Sequence, residues 1–461
     1  MSKWKIAIFG VSVFFILSGC TNHFMEAILI KHKPGIPGWN NLVITVQNDS
    51  LKPFSPLDNT FAWFTVEVSG FQNASDADQV ELAIDGVSGF TLSGYDTSGM
   101  AVNGIKTFIV EVHTTTPVSS GTSVTFTITD LLNIPTDGYN PYSGSPKTVT
   151  INFADGSSGN PISVTGENFS RFNSLINLSG HYKLAEDINA STTNWNTVGP
   201  FSGIFDGNNK TISNLHLSEN SDYYGMFSFM SGTIQNLNLV NCTIAGNSAG
   251  NKSVGYIAGN NSGTIRCCTI TSSNLDIQGN NGSFGCIAGV NSGKIQDCYV
   301  HSTISNTGST NPNTNIGGVA GQITGSSSKI QNCLVNVSIY GSNGSNSCFG
   351  GIVGLADNGN VENCVVLDSI ITTMQSNSDR IGRVAGIRTT GVLSGNYAGN
   401  TTIKYQADNS GSGGLDKTIT TTGVQNGIDG EGITSPQWTN PSWWSGTAHF
   451  TDPWWNDKLP P

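Results

Sequence analysis

One pattern constrains this chain more than any other. An aromatic or aliphatic residue followed by glycine recurs at Tyr224-Gly225, Val254-Gly255, Phe284-Gly285, Ile316-Gly317, Phe349-Gly350 and Ile381-Gly382. The glycines lie 30, 30, 32, 33 and 32 residues apart. A second block follows each of the first five, centred on Ile234, Ile265, Ile295, Ile330 and Val361, and a strand-like piece such as Leu275-Asp276-Ile277 closes the unit. A fixed period of this size marks a solenoid in which each repeat is one turn resting on its neighbours. Gly, Asn, Ser, Thr and β-branched residues are poor helix formers, and no 3.6-residue period runs through the repeats, so helical solenoids are excluded. The pattern predicts a parallel β-helix, right-handed, with three short strands per turn stacked about 4.8 Å apart. Its corners demand unusual backbone angles, which would explain the abundance of Gly and Asn.

Composition narrows the function classes. Only 11% of the 461 residues are charged, 56 are Gly, and the formal net charge is −11. Phosphate recognition needs clustered Lys and Arg, so no nucleic-acid partner is expected. Hydrophobic residues make up 37% and mean hydropathy is −0.11, which excludes a polytopic membrane protein.

The amino terminus reads as an address. Lys3 and Lys5 precede an apolar run over residues 6–17, too short for a bilayer span of roughly 20 residues. The run ends in Leu17-Ser18-Gly19-Cys20, which resembles the lipobox of bacterial lipoproteins. That resemblance implies a signal peptide over residues 1–19, lipidation of Cys20 and a tether through residue 26. Thr21 replaces the Asp of inner-membrane retention, so the expected place is the outer membrane, with surface exposure. The partner on that side is the membrane itself, reached through acylated Cys20.

Residues 27–155 carry short alternating runs at 42–46, 62–68, 80–84, 107–112, 123–128 and 148–153, with prolines between them. Six or seven such strands predict an immunoglobulin-like β-sandwich, which we read as a spacer. The fold class expected for the whole chain is all-β, a sandwich followed by a β-helix.

The units Val254-Gly255-Tyr256-Ile257-Ala258-Gly259 and Phe284-Gly285-Cys286-Ile287-Ala288-Gly289, with Lys294-Ile295-Gln296-Asp297-Cys298 after the second, resemble the GLUG repeat. The segment around Phe201-Ser202-Gly203-Ile204-Phe205-Asp206-Gly207 resembles what precedes such repeats. The likeness covers residues 162–400. It implies a bacterial surface protein of adhesin type, or the non-catalytic region of an immunoglobulin A peptidase. Such peptidases carry a His-Glu-x-x-His zinc site, which this chain lacks.

Open solenoid ends need covering. Residues 166–177 read as an amphipathic helix with Phe169, Phe172, Leu175 and Ile176 on one side, suited to the first end. Residues 401–461 hold a Gly/Ser-rich stretch and then Trp438, Trp443, Trp444, Trp454 and Trp455. These five read either as a platform for sugar rings or, preferably, as an aromatic cap over the last turn. Cys268, Cys298, Cys333 and Cys364 share a column with Leu237, which predicts a buried stack of thiols in preference to disulfides, with no metal. Asn236, Asp297, Asn332 and Asn363 form the adjacent column, expected to be a hydrogen-bonded corner ladder. The Asp206-Gly207-Asn208-Asn209 loop suggests calcium, but more simply a tight turn.

Polysaccharide lyases and glycoside hydrolases are the competing class for a β-helix. They need clustered carboxylates or a basic group flanked by acids. Arg266, Lys294, Arg380, Arg383 and Arg388 are the basic candidates; His181, His216 and His301 fall at unrelated repeat positions. The sequence reading is therefore a lipid-anchored surface adhesin that binds a glycan or extracellular protein, without catalysis, catalytic residue, metal or cofactor.

Overall fold

The computed structural model describes residues 3–5, 25–29, 43–47, 62–69, 81–96, 105–114, 123–132 and 147–152 in the amino-terminal part. Beyond these it describes 156–159, 161–166, 169, 178–218, 221–246, 251–277, 281–310, 313–343, 346–374, 376–407, 414–417 and 427–460. The chain divides into two compact units, Met1–Ile162 and Ser163–Pro461. Strand accounts for 56% and helix for 6%, so the class is all-β, as the sequence predicts.

The first unit holds two antiparallel sheets. One runs in the order Lys3–Lys5, Glu81–Asp85, Ser123–Leu132, Lys147–Asn152; the other runs Met25–Leu29, Val43–Gln47, Ala62–Ser69, Ile105–Thr114, Phe90–Asp96. Period-2 alternation buries Phe64, Val66 and Val68 on the second sheet and Val124, Phe126 and Ile128 on the first. The Phe64 and Phe126 rings stack at 6.2 Å, joining the two. All six predicted runs are strands. Three more were not predicted: Phe90–Asp96, Met25–Leu29 in the segment read partly as tether, and Lys3–Lys5 in the segment read as signal peptide. Backbone pairing with Val43–Gln47 and with Glu81–Asp85 places the last two in the sheets. Cys20 lies outside the described residues.

The second unit is a parallel β-solenoid of about six turns. Each turn has four faces, where three were expected. One turn runs Asn251–Val254 on face A, Ala258–Asn261 on face B, Thr264–Arg266 on face C and Thr269–Ile277 on face D. Among the described residues, faces A and B contain six strands each, face C nine and face D fifteen. Register is strict, so Ile234, Ile265, Ile295, Ile330, Val361 and Leu393 stack in one inward column of face C. All are essentially excluded from water, and each such aliphatic side chain contributes about 1.5–3 kcal/mol by burial.

The extra face comes from the glycine signature itself. It is two strands folded on each other, and its glycines are there for close approach. A Cβ on Gly255 would lie 2.5 Å from Ala288 Cα in the next turn, and one on Gly289 would lie 2.3 Å from Val254 N. Neither glycine has positive φ. The left-handed corners fall elsewhere, at Asn236, Cys267, Asp297, Asn332 and Asn363, with φ of 51–54°, and at Gly395 with φ of 63°. Asn and Asp tolerate that region because their short polar side chains bond locally. Asn therefore takes the left-handed corners as expected, and these glycines serve close packing instead.

At the first end, Phe169 is buried and stacks on Trp195 at 4.7 Å. Phe172, Leu175 and Ile176 of the predicted helix lie outside the described residues. At the other end, Glu431–Gly432 adds a strand beside Tyr397–Gly399, and the Ile428 carbonyl accepts from both Val384 and Ala385 N–H at 2.9 Å. Arg383, 5% exposed, donates to the carbonyls of Asp429, Gly430 and Ala398.

The tryptophan-rich tail does not cap the last turn. Its helical pieces, Ser435–Trp438, Pro441–Gly446 and Pro453–Asp457, start at Thr434, Asn440 and Asp452. Asn440 and Asp452 accept backbone N–H groups two residues on, and Thr434 forms a capping box with Gln437. The tail lies sideways against face D, where Trp438, Trp443, Trp444, Phe450 and Trp455 cluster with Leu334, Val365 and Tyr397 and with the partly buried Tyr299. Those four face-D residues occupy one outward column over four successive turns. The tail is a strap along the side of the solenoid.

Candidate binding face

Face D bends in the middle and presents two outward surfaces. Its first half carries the column under the strap. Its second half carries His216, Thr243, Asn274, Thr303, Ser338, Ile370 and Thr402, one per turn in register. Behind them Leu217, Ile244, Leu275, Ile304, Ile339, Ile371 and Ile403 are buried inside. That aliphatic stack fixes the outward rank as a rigid row. His216 Nδ1 meets Thr243 Oγ1 at 2.9 Å at its first end.

The polar residues of the solenoid divide by use. Many corner side chains are spent internally. Asn241 Nδ2 donates to Asn214 Oδ1 at 2.6 Å, Asn214 Nδ2 to Asn189 Oδ1 at 2.9 Å and Asn400 Nδ2 to Asp368 Oδ1 at 3.1 Å. This second corner ladder was missed in the sequence, although Asn recurs there at the repeat spacing. In the predicted ladder, Asn236 donates to Asp206 at 3.0 Å and Asn332 to Asp297 at 3.4 Å. Cys267 interrupts it between them. Asn261 and Asn291, fully buried, form a third pair at 2.7 Å.

Asp297 is a junction. Trp455 of the strap donates its indole N–H to Oδ1 at 3.3 Å, and Gln296 Nε2 donates to Oδ2 at 3.3 Å. Burial pushes its carboxyl above the ordinary carboxylate range, against the Trp455 and Asn332 donors that favour the charged form. Burial, then Asp452 and Asp297, push the neighbouring Cys267 thiol up to about 12. The column of Cys268, Cys298, Cys333 and Cys364 is wholly buried and its thiols are free. Burial holds Cys298 and Cys364 well above the usual thiol range, which suppresses the nucleophilic thiolate.

The other predicted candidates resolve individually. Trp438, Trp443, Trp444 and Trp455 are buried in the strap, so they are not presented to a sugar ring. Trp454 is partly buried, packs on Trp455 at 4.7 Å and carries the Lys458 ammonium over its ring at 4.4 Å. Asp206 accepts from Asn208 N at 2.8 Å, Asn236 Nδ2 at 3.0 Å and Gln235 Nε2 at 3.0 Å, so it closes a turn. Among the described residues, no group of three or more His, Cys, Asp or Glu could hold a metal ion. Arg266 binds Gln235 Oε1 at 2.6 Å, Arg380 lies 3.5 Å from Cys348 Sγ, and Arg383 fastens the end of the solenoid. An exposed pair that sequence reasoning missed, Tyr223 and Phe229, touches at 4.5 Å on the first strands of faces A and B.

No family model matches the chain. Among curated proteins it is 38% identical to Halomucin of Haloquadratum walsbyi over 109 residues, 20% of this chain and 1% of that protein. It is 27% identical to Immunoglobulin A1 protease of Streptococcus pneumoniae over 277 residues, 56% of this chain and 13% of that protein. The chain thus spans a small fraction of the curated relatives it matches. Among solved structures, a Bacteroides ovatus protein provisionally named an immunoglobulin A1 protease aligns with a TM-score of 0.49 and 21% identity, over 61% of this chain and 86% of that one. A second, named IgA1 Protease, aligns with a TM-score of 0.38 and 17% identity, over 84% and 28%. The streptococcal relative corrects one expectation. It shares over half of this chain and is named for a peptidase, so the reading of a chain without catalysis does not stand.

Proposed function

We propose that this is a lipid-anchored protein of the cell envelope, held at the outer membrane through Cys20, whose GLUG-type repeats offer a binding surface to a glycan or an extracellular protein. The first unit, whose antiparallel sheets lose only the edge strand Lys3–Lys5 when residues 1–19 are removed, serves as an immunoglobulin-like spacer. The observation that carries the reading is the in-register outward rank on the second half of face D, backed by a fully buried aliphatic column. Such a surface suits a long, shallow contact. The reading predicts binding at micromolar protein on a combined glycan and extracellular-matrix array; a blank array counts against it. Anchoring predicts that fatty-acid label is incorporated in cells and is lost in Cys20→Ser. Surface display requires that protease added to intact cells cuts the protein.

The similarity to the streptococcal protease favours a second reading, in which the chain takes part in cleavage of immunoglobulin A1. Incubating the full chain with immunoglobulin A1 and resolving the products by electrophoresis tests it. Discrete heavy-chain fragments support it, and intact heavy chain removes it.

A further inference from the structure

We infer that the second half of face D is a linear site for an uncharged polysaccharide lying along the solenoid axis, an inference that rests on the binding reading above. The row is Thr243, Asn274, Thr303, Ser338, Ile370 and Thr402, at successive turns. In-register parallel strands repeat about every 4.8 Å, so the row extends over roughly 24 Å.

Three observations select the ligand class. The first is that, apart from Thr243, which meets His216 at the end of the row, these groups are unspent. The corner residues Asn189, Asn214, Asn241, Asp368 and Asn400 bond to one another, whereas Asn274, Thr303, Ser338 and Thr402 make no side-chain hydrogen bond among the described residues. Hydroxyl and amide groups repeating in a line match a polymer whose own hydroxyls repeat in a line.

The second is charge. No ionised side chain stands in the row from Thr243 to Thr402; the row on one side holds one of each sign, Asp276 and Lys404, and on the other side His301 and Asp368 stand two residues before Thr303 and Ile370. The chain as a whole carries −11. A polyuronate would meet Asp276 and Asp368 with only Lys404, at the last turn, to offset them among the described residues, and a polycation would find no acidic cluster, so a neutral chain fits best.

The third is the kind of surface. Protein interfaces concentrate aromatic residues at their centre and are depleted in Ser. Here the aromatic column on the first half of face D is covered by the strap, and the bare half is hydroxyl-rich. A peptide strand adds to a sheet through open backbone edges, but these strands are paired to the turns on either side. Ile370, 44% exposed, and the half-buried Tyr340 beside Ser338 supply the apolar contact that the C–H face of a sugar needs.

The test is co-sedimentation of the full chain with insoluble cellulose and chitin, and with calcium-gelled pectate as the charged polymer. Thr303→Glu with Ser338→Glu forms the site variant. Asn260→Glu with Gln322→Glu, on face B, is the control of equal charge. We expect binding to a neutral polymer and not to pectate, a loss of at least tenfold in the face-D variant, and less than twofold in the face-B variant. Far-UV circular dichroism and an unchanged unfolding midpoint establish that both are folded, and Thr303→Ala with Ser338→Ala should lose about half the effect in logarithmic terms. Equal loss in both variants, no loss in the face-D variant, or equal binding of pectate overturns the inference. Absence of binding to all three polymers, with a protein ligand found on the array, overturns it while leaving the general binding reading in place. A blank array as well removes both.

Discussion

The strands Tyr299–Thr310 and Leu334–Asn343 each cross both halves of face D, and the halves have opposite fates. Leu334 is buried under the strap. Ser338, four residues on, stands in the open row. Inside the solenoid the two halves are alike, with Val300 and Val335 behind one and Ile304 and Ile339 behind the other. The difference is confined to the outward columns and changes along the axis. In the first-half column the early turns carry Thr211, Asn238 and Thr269, and the later ones Tyr299, Leu334, Val365 and Tyr397. Inward residues of a solenoid report only that a turn exists. Its outward residues report what lies over that turn.

The largest test of this contrast is the strap. Trp444 is 1% exposed and donates its indole N–H to the Trp438 carbonyl at 2.6 Å. Trp444→Ala should cost about 3–5 kcal/mol in denaturant unfolding; a change below about 1 kcal/mol would mean that the strap adds little to stability. A closer comparison uses one strand. Leu334→Ala should cost about 2–4 kcal/mol, and Ser338→Ala should stay within about 0.5 kcal/mol. Equal effects would erase the distinction between the halves.

Smaller effects belong to the corner beneath the strap. Cys267 holds φ of 54° where its column otherwise uses Asn, Asp or Gly. Cys267→Asn should stabilise by about 1 kcal/mol, as the left-handed strain of a side chain that cannot bond locally is relieved. The smallest effect is that of pH at Asp297. Its carboxyl is raised in the folded chain above the ordinary 3.8, so between those two values the folded state holds a proton that the unfolded state has lost. Stability should therefore fall as pH rises through that window and level off above it. Asp297→Asn should flatten that part of the profile, and an unchanged slope would assign it to another group.

The solenoid was readable because its period is carried by residues that cannot be exchanged. Gly255 and Gly289 each sit where any Cβ would strike backbone, so the spacing stands out without knowledge of the contact. The number of faces was not readable. Val254 through Gly259 looks like one strand, since nothing local shows that the chain folds back at Gly255. The Cys column was placed inside by the Leu237 that begins it. The strap was half legible. Five tryptophans announced a large buried surface, but which surface depended on Tyr299, Leu334, Val365 and Tyr397, whose change from polar to apolar is visible only once register is known. The strand Phe90–Asp96 was overlooked because Ser93-Gly94 interrupts its alternation.

The strap also alters how such a molecule can come apart. In a simple stack each turn touches only its neighbours, so it can fray one turn at a time from either end. Here one buried aromatic cluster is shared by the turns that contribute Tyr299, Leu334, Val365 and Tyr397. Those turns cannot open singly without uncovering the whole cluster, whereas the turns of Thr211 and Asn238 are free of that restraint. Amide exchange should therefore be graded across the early turns and collective across the later ones, a zipper at one end and a clasp at the other.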